Sequence, residues 1–477
     1  MNTALRFSDA SFTDGQAAVW DQRLTTPMLL ECIGHLAGSG LAAIEVLSPS
    51  VLEACIARGE NPLQRAVLAR RRCPGVPLRA TVNLLTGHGR APDDTLGPGL
   101  LAPWLGELAA AGIAQVVLLD ALQDPQRMSG AVRDAIAAGL VPIAALPYVA
   151  DAGLDDADYA RRARALAACG ADRVMLRDES GVLTPDRARS LLPALRAALG
   201  ELPLDLHTRC QTALGPWLAV EAARLGISGI DTALPCLANG ASLPALPLLL
   251  RSLARLEILA SAPSHQALAA ANEGLAAIAD QEGFPAAQPW VFDLAPFAHQ
   301  LPGEVAARCM SQLRERGEWP RVHAFAAECA AVRADMGSPP MVAPFAQAIA
   351  EQAMSHFRGE PRYQSLRPVL RRLLQGIYGT PPGTLHDGLQ QRVGRIEASS
   401  AIPADRSYAG GQTLLAGVAG VDAREVPGHA RLAALRYESV APAVALARGL
   451  LQRASRYALV SANGAGIEIR LQLGLVQ

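Results

Sequence analysis

Residues 172–177, Asp172-Arg173-Val174-Met175-Leu176-Arg177, form a short apolar run with charge at both ends. A turn follows, Asp178-Glu179-Ser180-Gly181-Val182-Leu183-Thr184, and then an amphipathic stretch opened by a proline, 185–199. Such a run reads as a buried strand, and the stretch after it as a helix laid on that strand. The unit repeats in both directions. Strand-like runs lie at 41–47, 77–83, 114–120, 140–147, 203–207 and 227–231, and an opening run near 5–10 makes eight. Helical patterns lie between them, at 27–36, 64–72, 100–111, 128–138, 156–169, 213–225 and 244–256. The runs are apolar on both faces, which is the mark of parallel strands covered by helices, so the pattern predicts a (β/α)8 TIM barrel over residues 1–260.

Beyond 260 the pattern turns helical, with candidates at 266–279, 322–335 and 346–358, and with Pro339, Pro340 and Pro344 breaking the chain before the last. A mainly helical domain is expected over 261–396. Residues 397–477 read as a Gly/Ala/Ser-rich linker and a small C-terminal αβ element, with a hairpin signal at Asn463-Gly464.

Composition removes several chemistries. All 43 basic side chains are arginine, so these residues contain no lysine to carry biotin, form a Schiff base or become carbamylated. A net charge of −1 without a basic tract predicts no nucleic-acid partner. The eight cysteines form no CxxC pair, so no structural zinc or redox dithiol is expected. No secretory leader and no apolar run of membrane-spanning length are read, so a cytoplasmic protein is expected.

In barrels of this kind reactive groups stand where strands enter the following loops. Those positions carry Asp14, Asn83, Asp120, Tyr148, Arg177, Asp178, His207, Arg209 and Asp231. Several belong to ordered motifs: Phe12-Thr13-Asp14-Gly15-Gln16; Leu119-Asp120-Ala121-Leu122-Gln123-Asp124-Pro125; Leu176 to Pro185; Asp205-Leu206-His207-Thr208-Arg209-Cys210; and Ile230-Asp231-Thr232-Ala233. The helical region adds His299-Gln300-Leu301-Pro302-Gly303, Ser338 to Pro344, and Tyr378-Gly379-Thr380-Pro381-Pro382. In order and spacing this series resembles the carboxyltransferase domain of pyruvate carboxylase and the alpha subunit of oxaloacetate decarboxylase.

The resemblance implies transfer of a carboxyl group between carboxybiotin and pyruvate, or decarboxylation of oxaloacetate. It also implies a metal held by an aspartate, a carbamylated lysine and two histidines. Asp14 and His207 match two of those ligand positions, while Arg177 stands at the lysine and Arg209 at the second histidine. A guanidinium has no lone pair for a metal, so no divalent metal and no other cofactor is expected in this chain. The family's substrate-binding and proton-shuttle positions are altered too. Gln16 lies beside Ala17, which falls on the glutamine position; Asn83 replaces an arginine, Thr13 stands before Asp14, and Ser242 follows Ala241 at the threonine position.

Two uses of the arginines stay open. Arg177 and Arg209 facing Asp14, and Asp178 or Glu179, would form a buried ion-pair network where the metal belongs. Alternatively they clamp an anion. In that case Arg177, Arg209 and His207 are the catalytic groups of a metal-free decarboxylase or carboxyltransferase, with Gln16, Asn83, Asp120, Tyr148 and Ser242 lining the substrate site. Neighbouring cationic groups would lower the Cys210 thiol pKa and make it a candidate nucleophile. The first use implies a non-catalytic or partner subunit, the second a lyase acting on a small 2-oxo acid. The resemblance implies a homo-oligomer, and a separate biotin carrier acting in trans stays open as a partner.

Overall fold

The computed structural model describes residues 4–85, 101–150 and 153–393. Eight parallel strands close into a barrel: β1 (Arg6–Asp9), β2 (Ala43–Leu47), β3 (Leu78–Asn83), β4 (Ile113–Leu119), β5 (Val141–Pro147), β6 (Arg173–Asp178), β7 (Leu204–Thr208) and β8 (Gly229–Thr232). β1 closes the ring on β8, with Arg6 opposite Gly229 and Asp9 opposite Thr232. Every strand falls within two residues of a run read from the sequence.

Local chemistry sets the helix starts. Ser48-Pro49, Asn61-Pro62, Asp124-Pro125 and Thr184-Pro185 each place a capping oxygen before a proline in the first turn. The cap accepts an otherwise unpaired N–H, and proline loses nothing there because it has none. Thr184 Oγ1 accepts from Arg187 N at 3.1 Å, for example, and so opens helix Pro185–Leu199 behind β6. The first of these pairs starts a helix, Pro49–Arg58, that the periodicity reading passes over, so two helices rather than one separate β2 from β3. Its buried side is only Val51, Leu52 and Cys55, too narrow a stripe to stand out against the exposed positions around it.

The helices after the barrel include His265–Glu282, Gly303–Glu315, Val322–Asp335, Phe345–Phe357 and Pro368–Leu374. Their core is continuous with the barrel: Val117, Ile143 and Met175 of β4, β5 and β6 pack in one cluster with Leu301, Phe345, Ile349 and Leu374. Polar clamps add to it. Asn83 Nδ2 donates to Ala343 O at 2.8 Å, Gln211 Nε2 donates to Leu301 O at 2.9 Å, and Ser180 Oγ donates to Gln300 O. The segment from His299 to Gly303 is thereby held across the end of the barrel where strands enter their loops. The expected linker and terminal αβ element at 397–477 lie outside the described residues. Among the described residues no helix is long and apolar enough to cross a membrane.

Candidate active site

Strand parity places the central groups. Arg177 and Glu179, two residues apart, point to one side of β6 and its extension; His207 and Arg209 do the same on β7. Arg177 is directly opposite His207 in the ladder. The four side chains therefore form a square at the inner end of the barrel, and Asp14 reaches it from the turn Ser11–Gly15 after β1.

The contacts are ionic throughout. Arg177 Nε donates to Glu179 Oε1 at 2.7 Å, and its Nη2 lies 3.6 Å from Asp14 Oδ2. Arg209 Nε donates to Glu179 Oε2 at 3.0 Å and Nη2 to Asp14 Oδ1 at 3.1 Å. His207 Nε2 stands 3.2 Å from Asp14 Oδ2 and 3.7 Å from Glu179 Oε2, while Nδ1 shares a 3.0 Å hydrogen bond with Asp231 Oδ2. A further carboxylate comes from the helical region, where Glu304 Oε2 lies 2.7 Å from Arg209 Nη2. Arg177, His207 and Arg209 are buried; Asp14 and Glu304 keep some exposure and form the solvent edge.

A second charged layer lies in the barrel interior. Arg79 makes a bidentate pair with Asp231 at 2.8 and 2.7 Å and donates from Nε to Glu45 Oε2 at 2.8 Å. Thr81 and Thr13 hydroxyls each donate to Glu45 at 3.1 Å. Such interiors are ordinarily filled by branched apolar side chains; here Asp231 links a buried guanidinium to His207.

The electrostatics follow from burial and these neighbours. Burial and Arg177 oppose charge on His207, yet Glu179 and Asp231 outweigh them and raise its pKa to about 9, so the ring is an imidazolium at neutral pH. Burial works against ionised Glu179, but Arg177 and Arg209 hold it well below the usual carboxylate range. Asp231 is likewise held low against burial, by Arg79 and His207. Glu45 is raised by burial, with Arg79 opposing. The cations Arg79, Arg177, Arg209 and His207 thus face the carboxyl groups of Asp14, Glu45, Glu179, Asp231 and Glu304, and Glu304, like Glu45, is raised by burial, with Arg209 opposing.

The residues named from the sequence separate into two groups. Asp14, Arg177, His207 and Arg209 come together. The others are engaged elsewhere. Gln16 bonds Gln22 and Leu24 N, and Asn83 bonds Ala343 O and Leu85 N. Asp120 accepts from Leu122, Gln123 and Asp124 N and from Arg127 Nε, closing its own loop. Tyr148 lies on the Tyr159 ring, 5.7 Å between centroids. Asp178, opposite in parity to Arg177, caps the loop by accepting from Val182 N, Leu183 N and Thr208 Oγ1. Buried Ser242 is the exception: its backbone carbonyl accepts from Cys210 N, but its hydroxyl has no hydrogen-bond partner among the described residues, and the carbonyl of neighbouring Ala241 accepts from Arg209 Nη1 at 3.3 Å. The expectation of a low Cys210 pKa is corrected: burial, with Asp178 nearby, pushes the thiol well above its ordinary value, and Arg209 offsets only part of this.

Ligand-type atoms do gather in the square. Oxygens of Asp14 and Glu179 and a His207 nitrogen lie within 4.8 Å of one another. Asp14 Oδ2, His207 Nε2 and Arg177 Nη1 have no aligned hydrogen-bond partner among the described residues. The same carboxyl groups, however, already carry the Arg177 and Arg209 contacts.

Residues 297–408 match the family model described as a conserved carboxylase domain. The chain is 25% identical over 395 residues to a pyruvate carboxylase subunit of Methanocaldococcus jannaschii, covering 82% of this chain and 68% of that protein. These matches bear out the resemblance to the carboxyltransferase domain of pyruvate carboxylase. Another relative in this carboxyltransferase group is the methylmalonyl-CoA carboxyltransferase 5S subunit of Propionibacterium freudenreichii subsp. shermanii, 22% identical over 77% of this chain and 72% of that protein. The fold matches the carboxyl transferase domain of Rhizobium etli pyruvate carboxylase with a TM-score of 0.83 at 20% identity, covering 95% of this chain and 78% of that one.

Proposed function

We propose that this carboxyltransferase-family chain has replaced the family's metal with a fixed cationic cluster and serves as a non-catalytic partner subunit for the standard carboxyl-transfer reaction. The observation that carries this reading is the bracketing of Glu179 by Arg177 and Arg209, with Arg209 also bound to Asp14. Asp14, Glu179 and His207 offer lone pairs, yet the residues around them do not suit a divalent ion. An ion among them would face two guanidiniums at about 5 Å, each repelling it by roughly 7 kcal/mol at an effective dielectric of 20. The two guanidiniums already balance Asp14 and Glu179, and the imidazolium accounts for the approach of His207 Nε2 to both.

The relatives from Methanocaldococcus jannaschii and Propionibacterium freudenreichii are each named as one subunit, which supports a role as one component of an assembly. A separate biotin carrier is the partner this implies. The test is turnover. Purified chain, given oxaloacetate, or pyruvate with a carboxybiotinylated carrier, and Mn2+ or Zn2+, is expected to show no decarboxylation or transfer above solution background. Metal-dependent turnover lost in Asp14→Ala would overturn the proposal.

One observation favours a second reading, a metal-free lyase on a small 2-oxo acid. Arg177 Nη1 is a buried donor without a partner among the described residues, and an imidazolium stands beside it. Fixed cations of this kind stabilise an enolate as carbon dioxide leaves, and His207 would then protonate the carbanion. Activity in EDTA that is lost in the Arg177→Ala, Arg209→Ala double variant supports this reading; activity that survives both substitutions removes it.

A further inference from the structure

Glu304 belongs to neither the barrel nor the motifs around it, yet its carboxylate reaches Arg209 Nη2 at 2.7 Å from the first turn of helix Gly303–Glu315. The backbone brings it there. A Cβ on Gly303 would stand 1.7 Å from Ala241 O, the same carbonyl that accepts from Arg209 Nη1 at 3.3 Å. Only glycine at 303 lets the helix start come that close, and its next residue then projects onto the guanidinium. The contact lies just inside the solvent edge: the Glu304 side chain keeps 25% exposure and Asp14 14%, against 1% for Arg209, while Glu304 Oε2 itself is buried and pairs with Arg209 by charge, with no aligned hydrogen bond among the described residues. Arg209 is otherwise held by Glu179 and Ala241 on its inner side and by Asp14 beside Glu304.

We propose that the outer face of Arg209 is a binding site for a small carboxylate, and that Glu304 fills it as a tethered ligand. The site takes one carboxylate with little behind it, an acetate-sized anion entering from the open end. A guanidinium already fixed by three other acceptors pays little ordering cost when such an anion arrives. An external carboxylate must first displace Glu304, so the helix start acts as a built-in competitor. This rests on the reading that guanidiniums stand in the metal's place and adds to it what the cationic cluster recognises.

Chemical rescue tests the site on the full chain. In equimolar sodium chloride, Glu304→Ala is expected to melt about 3–6 °C below wild type. Exchanging chloride for acetate at constant ionic strength is expected to restore most of that loss saturably, with no such shift in wild type. Glu304→Gln, which keeps the volume but loses the charge, is expected to be destabilised and to gain nothing from acetate. The Glu304→Ala, Arg209→Gln double variant is expected to lose the rescue. If Glu304→Ala does not fold in chloride, Glu304→Ser refolded with and without acetate gives the same comparison. Equal acetate shifts in wild type and Glu304→Ala, or no acetate effect in any truncated variant, would overturn the proposal. Metal content of the same samples separates the two ideas: one ion per chain contradicts the guanidinium reading, whereas failed rescue in metal-free protein contradicts the Glu304 site alone.

Discussion

Arg177 and His207 are opposite each other on β6 and β7, and both reach one oxygen of Asp14, the guanidinium at 3.6 Å and the imidazole at 3.2 Å. Two cations side by side in a buried site repel each other, so their coexistence depends on the acids between and behind them. Glu179 touches both, and Asp231 holds His207 from the far side. The site is therefore one cooperative charge cluster, and removing any member is felt by the rest.

Glu179 is the most exposed to this argument. It accepts from Arg177 and Arg209 and lies near His207, so Glu179→Gln leaves buried cations facing each other. The expected loss is about 3–5 kcal/mol, read as a lower urea midpoint with an unchanged slope. Asp14→Asn, at the solvent edge, is expected to cost less, because water can reach the cations it leaves.

Stability should fall on the alkaline side. The His207 pKa is raised from its ordinary 6.5 to about 9 in the folded protein. A base whose folded pKa is raised stabilises fully below its unfolded value and loses that contribution as pH rises through the folded one. The expected loss between pH 6.5 and about pH 9 to 10 is roughly 3 kcal/mol. Asp9, raised by burial to about 7, slopes the same way at lower pH, and buried thiols such as Cys32, Cys210 and Cys309, also raised, add a decline from roughly pH 8, so the His207 contribution is the difference between wild type and a His207 variant above pH 7. Urea midpoints from pH 7 to 9.5 should decline in wild type and be flatter in His207→Asn.

Much of this was open to sequence reading because parity is simple. Positions 177, 179, 207 and 209 share a face once the two strands are recognised, and Glu45 and Arg79 are charges inside apolar strands, a signal the periodicity reading left unused. Glu304 was not legible: it lies more than 90 residues from Arg209 and meets it only because the helical region crosses the barrel end. Distance also hid the role of Asn83, but not that of Asp120. Asn83 is taken up by Ala343 O across the interface between barrel and helices, whereas Asp120 is consumed by four donors within seven residues of itself, a loop-closing role that its place in a motif did not distinguish from substrate binding.

Gly181 joins the Glu179 turn to the Arg209 loop. Its φ is +62°, and a Cβ there would stand 2.6 Å from Arg209 O. Gly181→Ala combines left-handed strain with a backbone clash. It is expected to cost about 2–4 kcal/mol and to shift Glu179 away from both guanidiniums, visible as a smaller alkaline decline in stability.

If charge type alone separates this chain from a metal centre, restoring the ligands should restore the ion. Arg177→Lys with Arg209→His returns the donor types that the family resemblance implies, beside the existing Asp14 and His207. This double variant is expected to melt higher with Mn2+ or Zn2+, while wild type does not respond. No shift in a folded double variant would mean that more than these two positions was lost.

The most direct measurement is the metal content of wild-type protein dialysed against Mn2+ or Zn2+, followed by anomalous scattering from soaked crystals. The guanidinium account predicts far less than one ion per chain and no anomalous peak among Asp14, Glu179 and His207. One ion per chain at that position, lost in His207→Ala, would contradict it.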